Sequence, residues 1–284
     1  MLCKIGEVEV WRLLDIHAPF LAPEVLFPNA GPDVSRLIEE DVPGGICPET
    51  GKLILPIQSF LLKTPAHVIL VDTCVGTHKN HPKLPDWHQR TDKGYLAALE
   101  AAGVAPEEVD YVLCTHLHSD HVGWNTQLLD GRWVPTFPRA KYVLPRADEA
   151  FHRAEGSTLY TESVLPVIAA GQTELTDGAH KIGDHITLVP TPGHTEGHVS
   201  ILIESAGETA LITGDAIHST AQCRHPHWHF RFDMDPEQAA ATRRALLGTV
   251  ADAGHLVLGS HFALPSLGHV EEAGESFRWK ALDP

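Results

Sequence analysis

The chain has 284 residues, 43% of them hydrophobic and 20% charged, a composition that supports a sizeable core. Against 21 basic residues stand 37 acidic ones, giving a formal net charge of −16 with no Lys/Arg-rich run to offset it; this excludes nucleic acid from the expected partners. No segment is apolar over a membrane-spanning length, and the five Cys form no CxxC pair, so no membrane partner, disulfide framework or thiolate metal site is expected.

In chain order, the N-terminal MLCKIGEVEVWRLLD lacks the apolar core of a signal peptide, which with the Cys pattern leads to an expected cytoplasmic location. VEVWRLL (8–14) alternates in polarity and predicts a strand. Residues 18–51 are rich in Pro and Gly without a clear period, and predict a long loop over one edge of the fold. LILPIQSFLLKT (53–64) and HVILVDT (67–73) predict a hairpin with Pro65 and Ala66 near its turn. A helix is expected over 92–102, stopped by Gly103. VDYVLCTH (109–116) predicts a buried strand, AKYVLPR (140–146) another, and 147–154 a short helix. Strands follow at HITLVPT (185–191), HVSILIES (198–205) and ETALITGD (208–215). Asp235 and Pro236 start a helix that runs to Ala253 before Gly254, and HLVLGSH (255–261) is the last strand. Strands outnumber helices and no linker marks a boundary. The expected fold is α/β, two packed sheets with helices outside, in a single domain over 1–284.

The 20 His cluster, and the clustering carries the chemistry. His116, His118, Asp120 and His121 lie within six residues directly after the strand at 109–114. In extended backbone His116 and His118 project to one side, and a reversal after Ser119 brings Asp120 and His121 round to face them. Imidazole and carboxylate suit zinc and its first-row neighbours. Three later strands end the same way: ITLVP leads to Gly193 and His194, ALI to Gly214 and Asp215, and HLVL to Gly259, Ser260 and His261. Gly193 permits an unusual backbone angle just before His194. His198 and His255 flank strands and read as structural. His225, His227 and His229 alternate in a further cluster, where an exposed loop is favoured over a third metal site or a substrate contact.

The HxHxDH motif, the downstream TPGHT, the TGD and the late strand ending GSH match the metallo-β-lactamase superfamily in order and spacing, and over about residues 50–270 the chain resembles it. The resemblance implies an αββα sandwich. It also implies two divalent ions, zinc first with Mn, Co or Fe tolerated by the same donors. His116, His118 and His194 would bind the first ion, Asp120, His121 and His261 the second, and Asp215 both. Asp120 is then a ligand and a candidate proton shuttle. Asp72, in VDT, matches an aspartate that braces such ligands from behind; a plain strand-end turn explains it equally well. A homodimer is implied by resemblance only.

VGWN (122–125), GRWVPTFP (131–138) and HFALPSLGH (261–269) are similar to segments of the lactonase and methyl-parathion-hydrolase-like branch. That similarity makes Trp124, Trp133, Phe137, Phe262 and His269 candidates to line a substrate pocket. The implied activity is hydrolysis of a small-molecule lactone or carboxylic ester by a metal-bridging hydroxide. A phosphotriesterase, a β-lactamase-like amide hydrolase and an inactive metal-binding scaffold are the alternatives.

Overall fold

A computed structural model describes residues 1–282. In chain order its elements are β1 (Cys3–Ile5), β2 (Val8–Pro19), α1 (Pro23–Leu26), α2 (Val34–Asp41), β3 (Ile54–Lys63), β4 (Val68–Val71), α3 (Gly94–Ala101), β5 (Tyr111–Leu113), β6 (Thr126–Leu129), β7 (Arg132–Pro135), β8 (Lys141–Pro145), α4 (Arg146–Glu155), α5 (Leu165–Ala169), β9 (Thr173–Thr176), β10 (His180–Ile182), β11 (Ile186–Pro190), β12 (Val199–Ser205), β13 (Glu208–Ile212), α6 (Ala221–Arg224), α7 (Pro236–Ala253), β14 (Leu256–Leu258), β15 (Leu267–Ala273) and β16 (Ser276–Ala281). The chain forms two compact units. The first comprises Met1–Asp15 and Ile57–His185, the second Ile16–Pro56 and Ile186–Pro284. The fold is mixed α/β, as expected, and each unit supplies sheet and helices of the kinds an αββα sandwich needs.

In the first unit one sheet runs β1-β2-β3-β4-β5-β8-β9 (residues 16–19 of β2 and 54–56 of β3 count with the second unit). β3 and β4 form the expected antiparallel hairpin, with Phe60 opposite Val71 and Lys63 opposite Val68. β4, β5, β8 and β9 are parallel neighbours, so their carboxyl ends share one edge of the sheet. In open α/β sheets that edge is where sites form. β3, ILPIQSFLLK, is buried along nearly its whole length, as a mostly apolar run in a central strand is expected to be.

In the second unit β11-β12-β13-β14-β15-β16 lie side by side in that order. β11 and β13 each pair antiparallel with β12, and β13 pairs parallel with β14. β11, β13 and β14 therefore run the same way, and their carboxyl ends meet at one edge. α7 is built as its sequence dictates. Asp235 caps it, accepting from Gln238 N–H at 3.0 Å, Pro236 opens it, and Gly254 closes it in a left-handed turn at φ 65°.

The structure corrects one expectation here. Residues 18–51 hold the end of β2, α1 and α2 rather than a bare loop. Leu26, Phe27, Val34 and Ile38 are buried in a cluster with Trp228 and Phe230. Helices of one or two turns give no measurable period, and their stability comes from partners about 200 residues away. Among the described residues no helix is long and apolar enough to cross a membrane.

Candidate metal centre

In the first unit, β4 and β5 end side by side and each delivers its functional residues at once. Asp72 follows β4 in a left-handed backbone conformation, φ 60°, which Asp tolerates better than most residues. Its N–H donates to Leu113 O at 2.9 Å, which docks it against the end of β5. The carboxylate is buried and accepts from Thr115 N–H at 2.8 Å, from the Thr115 hydroxyl at 2.9 Å and from His121 Nδ1 at 2.9 Å. The Thr115 hydroxyl, having donated to Asp72, accepts from His116 Nδ1 at 3.0 Å. One carboxylate thus bears on the tautomers of two motif histidines and leaves Nε2 of each as the nitrogen that could take a metal, the arrangement ligand histidines usually show. The rings of His118 and His121 stand 4.6 and 4.1 Å from that of His116, and His121 Nε2 is 3.9 Å from Asp120 Oδ2. All four motif donors are therefore brought together within their unit.

In the second unit the three donors come from three strand ends. Gly193 holds φ 131° after β11, and a Cβ there would lie 2.3 Å from Ala239 N of α7, so the turn into His194 requires glycine. Asp215 follows β13 and His261 follows β14. The two carboxylate oxygens of Asp215 face different rings, Oδ2 at 3.3 Å from His194 Nε2 and Oδ1 at 3.2 Å from His261 Nε2. Each donor has its own brace. His194 Nδ1 donates to Asp233 Oδ1 at 2.9 Å, and His261 Nδ1 to Pro56 O at 2.8 Å. Asp215 is held from both sides, its N–H donating to His198 Nε2 at 2.9 Å and its Oδ2 accepting from His218 Nε2 at 3.1 Å.

The electrostatics follow from burial. Burial pulls the His194 imidazole down, but Asp215 and Asp233 outweigh it and hold the ring up at about 9, a measure of how strongly this pair attracts a cation. Burial drives His218 down to about 3 against the pull of Asp215, so it stands neutral and donates from Nε2; its ring stacks on Phe230 at 3.5 Å. Asp233 is kept below its ordinary value: burial works against this, and His194 and the buried Arg243 prevail. Arg243 faces Asp233 at 3.6 Å and donates to the carbonyls of Ala216, Pro226 and Trp228.

His198, read as structural, proves to be a brace for Asp215. Asp233 and His218 were not found from sequence. His218 carries one signal, its position three residues past Asp215. Asp233 lies 39 residues from the ring it holds, and no spacing rule marks it. Although His194, His218 and Asp233 offer ligand-type atoms within 4.8 Å of one another, the hydrogen bonds make this group a brace. His225 and His227 lie 6.2 Å apart while His229 faces Glu237 at 3.5 Å, so these three do not converge on one point.

The expected aromatic wall takes a different form. Trp124 and Phe137 are buried in the first unit, where Trp124 stacks on Tyr95 at 5.7 Å and Phe137 leans on Tyr142 at 6.5 Å. Phe262 is buried in a cluster with Leu247, Val257 and Val270, edge-on to Trp279 at 5.1 Å. These three rings are core, because covering a large apolar face stabilises a fold more than lining a cleft does. Trp133, on β7, is half-buried with the Lys79 amine 3.7 Å over its ring. His269, expected on a pocket loop, lies in β15 and hydrogen-bonds through Nδ1 with His255 O at 3.1 Å.

Donors of this kind, imidazoles beside carboxylates, fit first-row divalent cations. The family model for the metallo-beta-lactamase superfamily matches residues 54–261, a stretch that contains all seven candidate ligands. An N-acyl homoserine lactonase from Bacillus sp is 29% identical over 180 residues, covering 58% of this chain and 66% of that protein. A beta-lactamase-like protein 2 homolog from Caenorhabditis elegans is 28% identical, covering 56% of this chain and 44% of that protein. The chain thus spans less than two thirds of these curated relatives. Among solved structures, the hydrolase AbOPH superposes with a TM-score of 0.83 at 25% identity, covering 99% of this chain and 96% of the other. AidC, a dizinc quorum-quenching lactonase, superposes with a TM-score of 0.82 at 22% identity, with the same coverage.

Proposed function

The chain belongs to the metallo-beta-lactamase superfamily, and from that premise we propose that it is a metal-dependent hydrolase opening a lactone or related carboxylic ester with two divalent ions. In this reading His116, His118 and His194 hold one ion, Asp120, His121 and His261 the other, and Asp215 both. Zinc suits the donors best, with manganese, cobalt and iron compatible. The observation that carries the reading is the pose of Asp215, whose two oxygens face two different imidazoles as a carboxylate shared by two cations requires. The Bacillus relatives, which are N-acyl homoserine lactonases, support a lactone as substrate.

Bound divalent ions supply Lewis acidity, which polarises an ester carbonyl and lowers the pKa of water from 15.7 to about 7. The protein's part is to place and balance charge. Asp120 and Asp215 offset part of the cationic charge and leave the rest to face the oxyanion that develops at the substrate carbonyl. Asp120, whose side chain is 14% exposed, holds a proton in transit better than the buried Asp215 does. Asp72, Asp233 and His218 keep the ligating atoms aimed, so that little reorganisation accompanies the reaction.

The test is a hydrolysis panel on metal-replete enzyme. It covers acyl-homoserine lactones, aryl esters, phosphotriesters, β-lactams and thioesters, each with and without a chelator. The expected result is two metals per chain by elemental analysis, and turnover of lactones and aryl esters that chelator abolishes and zinc restores. Chelator-insensitive turnover, or fewer than two metals after replete expression, would overturn the reading.

A further inference from the structure

Within the first unit the ligand motif is gripped by a second buried carboxylate, one that the chemistry above leaves unused. β5 lies between β4 and β8 in its sheet, parallel to both, and the motif leaves from its carboxyl end. The β8 side follows it closely. Cys114 N–H donates to Val143 O at 3.1 Å, β8 ends at Pro145, and α4 begins at Arg146 on the same edge. Asp148, in the first turn of α4, is buried, and its Oδ2 accepts from the Leu117 N–H at 3.1 Å. The turn that carries Asp148 is tied down in its own right, since the neighbouring Glu149 accepts from the Tyr160 hydroxyl at 3.1 Å. An anionic group is favoured there, because the first turn of a helix presents unpaired N–H groups and the positive end of its dipole.

Alternate residues of the segment have different tasks. Thr115 and Leu117 give their N–H groups to carboxylates, Asp72 beyond β4 at 2.8 Å and Asp148 beyond β8 at 3.1 Å. His116 lies between these two anchored residues, and His118 directly follows the second. The rings of His116 and His118 meet edge-on, 4.6 Å apart. Their spacing depends on the backbone rotation at Leu117, the one residue between them. The Thr115 bond fixes the chain before that residue, and the Leu117 bond fixes the residue itself. Leu117 is held on its other side too, because its side chain is fully buried. A hydrogen bond to an ionised acceptor is among the stronger kinds, so the hold is firm. The Asp72 carboxylate is taken up by Thr115 and His121, which leaves Asp148 a task that Asp72 does not duplicate.

We propose that Asp148 is a positioning residue for the ion assigned to His116 and His118: by holding the Leu117 N–H it sets the spacing of those two imidazoles. The inference rests on the two-ion reading for what the imidazoles hold, while the grip itself stands on the bond between Asp148 and Leu117. Asp148 acts only through the Leu117 backbone. Its effect is selective, because His121, assigned to the other ion, takes its brace from Asp72 instead.

The test measures metal binding directly. Zinc is titrated against a chromogenic chelator into wild type, Asp148→Ala and Asp148→Asn, and wild type is expected to give two binding constants. Asp148→Ala weakens one of them about tenfold or more, the scale for losing a group that orients a metal ligand, and leaves the other within about twofold. Asp148→Asn, whose carboxamide oxygen still accepts from an N–H, recovers most of the loss. With cadmium in place of zinc, the cadmium NMR signal that Asp148→Ala moves is the one that His118→Ala removes. A readout independent of any variant is amide exchange in the zinc-loaded wild type, where Leu117 should be protected as well as Thr115 is. Both constants weakened alike, neither weakened, no recovery in Asp148→Asn, or an unprotected Leu117 amide overturns the role. The hydrolysis panel separates this from the reading beneath it. One constant weakened by Asp148→Ala, with no turnover in wild type, keeps Asp148 as a positioning residue and removes the hydrolase. Turnover in wild type, with both constants unmoved by Asp148→Ala, keeps the hydrolase and removes Asp148.

Discussion

The two units brace their donors in opposite ways. In the first, four donors sit within six residues, and two of them hang from one carboxylate, Asp72, directly through His121 and through Thr115 to His116. In the second, three donors are spread from residue 194 to 261, and each has a separate brace: Asp233 for His194, His198 and His218 for Asp215, and the Pro56 carbonyl for His261. A short motif can share one anchor because neighbouring parallel strands end together. Donors on three strands are too far apart in the chain to share, so each recruits what its own surroundings offer. The units also differ in their buried cations. Arg243 in the second keeps a carboxylate partner, whereas Lys79 in the first donates to a hydroxyl and a carbonyl.

The largest expected effect comes from the residue with no duplicate in either scheme. Asp215→Asn keeps the shape but removes the charge facing both His194 and His261. It should lower kcat/KM by about a thousandfold or more and take bound metal well below two per chain, checked by kinetics and elemental analysis. Next, Arg243→Met takes the buried cation from Asp233 and the donor from the Ala216 and Pro226 carbonyls, and should cost about 4 kcal/mol in denaturant unfolding. Lys79→Met at pH 7 should cost much less; equal losses would show that the two buried cations are equivalent after all.

The shared anchor gives the sharpest contrast. Asp72→Asn, a residue that tolerates the left-handed backbone, loosens two histidines and should weaken zinc binding about 100-fold in competition with a chromogenic chelator. Asp233→Asn loosens one and should weaken it about tenfold. A further contrast is a slope with pH. The Lys79 amine takes up its proton near 7 in the folded state, because of burial, and at its ordinary value of 10.5 in the unfolded chain. Between those values the unfolded chain binds more protons, so Lys79 makes stability rise with pH across that window, and its penalty is fully present below pH 7. Unfolding of wild type and Lys79→Met at pH 6.5 and 9.5 measures it; a wild-type slope that survives the substitution removes Lys79 as the cause.

Much of this was legible from residue order. The strands at 8–14, 53–64, 67–73 and 140–146 appeared where alternation or apolar runs placed them, and α7 began and ended at its predicted cap and glycine. Residues 18–51 were not legible, since α1 and α2 are too short to carry a period and are held by Trp228 and Phe230. Trp124, Phe137 and Phe262 misled for a related reason: an aromatic near a ligand motif looks the same in sequence whether it faces a cleft or a core.

By itself the sequence determined the chemistry on offer, because ligand type and strand-end position are local properties. It named His116, His118, Asp120, His121, His194, Asp215 and His261 from residue type and place alone. Only the tertiary structure decided how those side chains are aimed. Which oxygen of Asp215 faces which ring, and that Asp233 and His218 stand behind them, depend on β11, β13 and β14 running the same way to a common edge. Strand direction within a sheet is set by packing across the whole unit, and no stretch of chain carries it alone.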